Sequence, residues 1–127
     1  MNPSAEIENI VDQSVQLARD LEHEYVTTEH LTLAMVRHAP FRKCLAKYGI
    51  DVEQLDNELM AYIVSLVSLI RPNNDSPKKT SALERVFNRA NVQVMFTGRR
   101  NLTVIDVFLS IMSESNSHSQ YFLLKHG

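Results

Sequence analysis

The sequence predicts an all-α fold, a pseudo-twofold duplicated helical bundle of two four-helix-type repeats in which the second lacks its last helix, about seven helices in all. Three observations carry that prediction. Apolar residues recur at steps of three and four along most of the chain. Glycine stands only at Gly49, Gly98 and Gly127, and the prolines fall near the start, at Pro40 and in one polar stretch, so the periodic segments contain no breakers. The order of caps and apolar stripes before Arg71 returns after Thr80.

Ser4 supplies an N-cap for the first helix, whose buried side is Ile7, Ile10, Val11, Ser14, Leu17, Ala18 and Leu21. Thr27 caps the second, with Leu31, Ala34 and Met35 inward and Glu29 in the first turn, where an acid suits the positive end of the helix dipole. That helix stops near His38. Pro40 fits the first position of a short third helix reaching about Tyr48, and Gly49 supplies the left-handed residue that ends it. Asp51, with Gln54 three residues on, caps a fourth helix in which Leu55, Leu59, Tyr62, Ile63, Leu66 and Ile70 keep helical spacing. The branched residues between Tyr62 and Ile70 would also suit a strand; helix is the expectation.

Arg71 to Thr80 is polar, holds two prolines and has no apolar period, which predicts a flexible linker. Ser81 with Glu84 forms a capping box for the fifth helix, striped by Leu83, Val86, Phe87, Ala90 and Val94 and ended by Gly98. Thr103 with Asp106 repeats that arrangement for a sixth helix carrying Val107, Ile111 and Met112, and a seventh covers about Ser117 to His126. A shift of 76 positions lays Ile7, Ile10, Val11 and Ser14 on Leu83, Val86, Phe87 and Ala90, and Thr27 on Thr103. At a shift of 78, Leu45, Lys47 and Gly49 meet Leu123, Lys125 and Gly127. The organisation expected is one domain over 1–127: repeat 1 (4–70), linker (71–80) and repeat 2 (81–127).

Composition excludes several classes of function. The net charge of -2, with basic residues scattered, gives no footprint for nucleic acid. The run from Leu59 to Ile70 is too short and too interrupted by serine to cross a bilayer, and Met1 to Ile10 has no secretory pattern, so a cytoplasmic protein without membrane contact is expected. The lone Cys44 excludes an internal disulfide framework and reads as an inert packed thiol. His23-Glu24 lacks a second histidine four residues on, where Thr27 stands, so zinc hydrolysis is not expected. His30, beside Glu29 at a helix start, reads as a packing or capping residue. No G-x-x-x-x-G-K-[ST] stretch is present, so no phosphate cradle and no cofactor are expected, and the chain reads as no enzyme.

The segments HEYVTTEHLTLAMV, ALERVFNRA and NLTVIDVFLSIM together resemble the duplicated amino-terminal domain of Clp ATPases, nearest to the ClpA type, over nearly the whole chain. The resemblance implies a helical docking module for adaptor proteins of the ClpS type or for substrates awaiting unfolding, serving an ATPase ring if the full chain continues. Carried over residue by residue, it implies adaptor contacts at Glu24 and Glu29, with Thr80 and Arg85 beside them. Domains of this type can hold zinc with a histidine matching His23, but the partnering acid on the fourth helix is replaced by Val64, which argues against a metal site. Relatives that read phosphorylated arginine carry an acid after the capping threonine in both repeats; Glu29 keeps it and Ile105 does not. Read without the resemblance, Glu29 also suits helix-start stabilisation, and Arg85 with Arg89 suits a solvent face. The competing expectation is a free-standing or self-associating helical protein in which the apolar fourth helix pairs between chains.

Overall fold

The computed structural model describes residues 2–66, 69–71, 76–99, 101–114 and 118–125. In chain order the elements are β1 (Asn2–Pro3), α1 (Ala5–Asp20), β2 (Tyr25–Val26), α2 (Thr28–Arg37), α3 (Ala39–Lys47), α4 (Val52–Val64), β3 (Lys78–Lys79), α5 (Ser81–Phe96), β4 (Asn101–Leu102), α6 (Val104–Met112) and α7 (His118–Lys125). The all-α class and the seven helices agree with the sequence reading. The predicted caps at Ser4, Thr27, Asp51 and Thr103 each accept a hydrogen bond from the third backbone N–H along, and Thr103 with Asp106 closes a capping box.

Three boundaries differ. α4 ends at Val64 rather than Ile70, because the Ser65 hydroxyl turns back onto the Tyr62 carbonyl and the chain then leaves to pair elsewhere. The Leu69 carbonyl accepts from the Glu24 N–H at 2.7 Å, and Ile70 bridges antiparallel to His23. α5 is capped by Thr80, whose hydroxyl accepts from the Leu83 N–H at 3.2 Å, and not by Ser81. In the stretch read as linker, Lys78 and Lys79 form β3 and Thr80 the cap; positions 72–75, where flexibility was expected, lie outside the described residues. So do 117 and 126, the expected ends of the seventh helix.

The two halves exchange their short strands. β1 runs parallel to β4, Asn2 opposite Asn101, and β2 parallel to β3, Tyr25 opposite Lys78. Under the shift of 76, Asn2 falls on Lys78 and Tyr25 on Asn101. The strand before the first helix of each half therefore pairs with the strand before the second helix of the other half. The flanking bonds obey the same relation: the Ser4 N–H donates to the Leu102 carbonyl and the Thr80 N–H to that of Val26, both at 3.1 Å.

Between these joints lies a shared core. Ile7, Ile10 and Ala18 of α1 match the burial of Leu83, Val86 and Val94 of α5. α2 is buried from Thr28 to Val36, because α1, α3, α4, α6 and α7 all pack against it. Leu55, Leu59 and Ile63 put the apolar stripe of α4 wholly inside, each residue contributing about 1.5–3 kcal/mol of burial. That stripe is consumed within its own chain, which overturns the expectation that it pairs between chains.

Candidate binding site at the paired starts of α2 and α5

Because β2 and β3 lie side by side, the caps that follow them, Thr27 and Thr80, are neighbours and α2 and α5 open beside each other. Between these starts is a depression of about 240 Å³ lined by Thr27, Thr28, Glu29, Thr80, Ala82, Arg85 and Glu114. Three of the four residues singled out in the sequence, Glu29, Thr80 and Arg85, thus share one site. The fourth does not line it: Glu24 precedes β2, its main chain bonded to Leu69 and Lys78 and its carboxylate 3.9 Å from the Arg71 guanidinium.

Glu29 is not the free acid a surface contact would suggest. It is 7% exposed, and its carboxylate accepts hydrogen bonds from the hydroxyls of Thr28 and of Ser119 on α7, the latter at 3.0 Å. Two neutral donors hold the oxygen in place without cancelling its charge. Opposite it, Arg85 donates to Glu114 at 2.8 Å and Arg89 to the same carboxylate at 3.0 Å; Arg89 also reaches the Ser110 carbonyl at 2.7 Å. The Arg85 hydrogen bond, aided by Arg89 and opposed by burial, holds the Glu114 carboxyl below the usual carboxylate range. The two arginines are therefore a clamp on the end of α6 rather than a bare solvent face. The site pairs a fixed, nearly buried carboxylate with an exposed guanidinium and a row of threonine hydroxyls, a surface suited to polar recognition.

Thr28, Glu114 and Ser119 were missed by sequence reasoning. The Arg85 and Arg89 spacing signals a shared acid on one helix face, but nothing local identifies Glu114 as that acid.

Behind the site, His30 occupies the third position of α2 and completes its capping box, as its place at a helix start suggested. Its Nδ1 accepts the Thr27 backbone N–H at 3.0 Å, so its proton sits on Nε2 and is donated to Nδ1 of His23 at 2.9 Å. His23 is 1% exposed and is consequently the Nε2–H tautomer. Burial, reinforced by the neighbouring His23, pushes His30 down to about 4, and burial lowers His23 as well. Nδ1 of His23 is engaged by His30 and Val64 is half-exposed on α4, and among the described residues no three potential metal ligands cluster. Under the shift of 76, His23 and His30 fall on Arg99 and Asp106, which form a charged pair at 2.6 Å in the same place.

Comparison with known proteins adds the following. The profile of a family described as the Clp repeat (R) N-terminal domain matches residues 2–126. A ClpA homolog protein of Fuscovulum blasticum is 30% identical over 124 residues, a match covering 94% of this chain and 15% of that protein. The chain thus spans a small part of that relative's length. Among solved structures, the Hsp104 N-terminal domain from Candida albicans superposes with a TM-score of 0.86 at 10% identity, covering 100% of this chain and 83% of that one. The N-domain of ClpV from Vibrio cholerae gives 0.80 at 17% identity, covering 98% and 76%. At these identities the structural likenesses speak for the fold alone.

Proposed function

Since the chain belongs to the Clp repeat (R) N-terminal domain family, we propose that it is a protein-docking module that receives adaptor proteins of the ClpS type, or substrates, on behalf of an ATP-driven unfolding ring. The observation that carries this reading is the convergence of Glu29, Thr80 and Arg85 on one depression where α2 and α5 begin. A buried carboxylate fixed by hydroxyls costs stability unless its negative potential is used, and an incoming amine, guanidinium or amide N–H can use it. Arg85 supplies the opposite charge at the rim, so a partner is read for both signs and oriented by them. Glu24, on the same strand connection but outside the depression, would extend the contact along β2.

The chain's part is binding and orientation. Its sequence contains no phosphate loop, and ATP hydrolysis would belong to a ring-forming ATPase.

Calorimetric titration with a ClpS-type adaptor tests the proposal. Glu29→Ala and Arg85→Glu are expected to weaken binding by about tenfold or more, and Glu24→Ala by about threefold, the losses typical of one charge-assisted and one rim contact. Arg85 is exposed, so its variant separates lost binding from lost folding. Affinity equal to wild type in all three would remove these residues from the site; no heat with any adaptor would remove the adaptor itself.

A further inference from the structure

The pair α1 and α2 and the pair α5 and α6 are equivalent under the shift of 76, yet a side chain bridges the two helices in one half and not in the other. In the second half Arg89 crosses from α5: its Nη1 donates to the Ser110 carbonyl at 2.7 Å and its Nη2 to the Glu114 carboxylate at 3.0 Å. Arg85 donates to the same carboxylate at 2.8 Å. Arg85 and Arg89 correspond to Asn9 and Gln13 of α1, Ser110 to Ala34 and Glu114 to His38. The helix ends match as well, since the His38 N–H donates to the Met35 carbonyl as the Glu114 N–H donates to that of Ile111. Gln13 is shorter than arginine, and a groove of about 360 Å³ remains in the first half, lined by Asn9, Gln13, Ala34 and His38 among others.

We propose that this groove binds an arginine side chain of a partner protein, seated as Arg89 is seated in the second half. Acceptors of both kinds are in place. The Ala34 carbonyl stands where that of Ser110 stands. The acid comes from the other helix: the Glu6 carboxylate of α1, one turn before Asn9, lies 2.9 Å from Nε2 of His38, and the Glu6 side chain is 58% exposed. Asp20 adds a second carboxylate at the far end of the groove, where it accepts from Gln16 at 2.7 Å. Arg37, which also lines the groove, is bound to Asp56 at 2.9 and 3.0 Å and adds no net charge.

A carbonyl and a carboxylate on separate helices suit the planar fork of a guanidinium, which reaches both, better than the point charge of an ammonium. The exposed carboxamides of Asn9 and Gln13 form no hydrogen bond among the described residues and can accept further N–H groups. Ile10 and Leu33, both buried, give the aliphatic stem an apolar floor. The groove shares no residue with the depression around Glu29, so the two sites hold independently.

The probes are acetyl-Ala-Arg-Ala-amide and its lysine and citrulline counterparts, titrated into the isotope-labelled chain and followed by NMR. Saturable shifts of the Asn9 and Gln13 side-chain amides are expected with the arginine peptide in the millimolar range, and affinities lower by about fivefold or more with the other two. Gln13→Arg supplies the guanidinium from within the chain, so it should abolish the shift at Asn9 and raise the thermal midpoint by about 3 °C. Glu6→Gln should weaken binding by about fivefold, and Glu29→Ala should leave it unchanged. Glu6 and Gln13 are exposed, and circular dichroism checks that both variants fold. Equal affinity for the citrulline peptide, or wild-type affinity in Gln13→Arg, would overturn the proposal. Shifts confined to the starts of α2 and α5 would overturn it too, while leaving the docking site at Glu29 standing.

Discussion

His30 stands where a capping box ordinarily places Glu or Gln, and the substitution makes the start of α2 sensitive to acid. Protonating Nδ1 would set an N–H against the Thr27 N–H that it now accepts, so the charged ring cannot keep the cap. Folded His30, lowered to about 4 from 6.5, binds its proton more weakly than the unfolded chain does. The unfolded state takes up more protons across that interval, so stability is complete above pH 6.5 and is lost as pH falls toward about 4, by roughly 3 kcal/mol. Asp106 and Glu114, held below the usual carboxylate range by their arginines, add a further loss only at lower pH. Urea denaturation between about pH 7.5 and about pH 4.5 should show the slope, and His30→Gln, which caps without titrating, should reduce it to the share left by His23, whose own value burial also lowers. An unchanged slope in the variant would place the proton elsewhere. The structural role of His30 was legible because a helix start constrains what its third residue does. The burial of Glu29 was not, because it depends on Ser119, 90 positions away and joined to it only by the fold.

Single helices show the same division between local and distant causes. Ser4, Thr27, Asp51 and Thr103 were readable as caps because an N-cap acts on backbone N–H groups two and three residues ahead. At the fifth helix two hydroxyl residues stand in series, Thr80 and Ser81, and Glu84 favoured the wrong one. Tertiary pairing decides: the Thr80 N–H is fixed to the Val26 carbonyl, which holds Thr80 in the extended conformation a cap requires. Thr80→Ala should therefore cost about 1 kcal/mol in chemical denaturation, and Ser81→Ala less than about 0.5 kcal/mol. Equal costs would show that the cap is shared. The end of α4 was misread for a similar reason. Helical spacing continues to Ile70, but the bonds of Leu69 and Ile70 to the turn around His23 outweigh α-helical propensity after Ser65.

The duplication was legible in whole-molecule terms because caps and stripes repeat in order, whereas the way the halves are joined was not. Two-residue strands such as β1 and β3 carry no periodicity to detect, and only their pairing reveals that each half lends its leading strand to the other. Such an exchange makes the halves interdependent. Residues 1–71 alone would leave the Leu102 and Lys78 partners of β1 and β2 missing and strip α5, α6 and α7 from α2, while residues 76–127 alone would lose α2 from beside α5, α6 and α7. Each fragment is also at or below the ~70–80 residues under which one core supplies little stability by itself. Neither is expected to unfold cooperatively by circular dichroism, and mixing the two should restore helicity and a single thermal transition. Cooperative unfolding of the first fragment by itself would mean that α4, by closing over α2, completes a core that the strand exchange decorates and does not build.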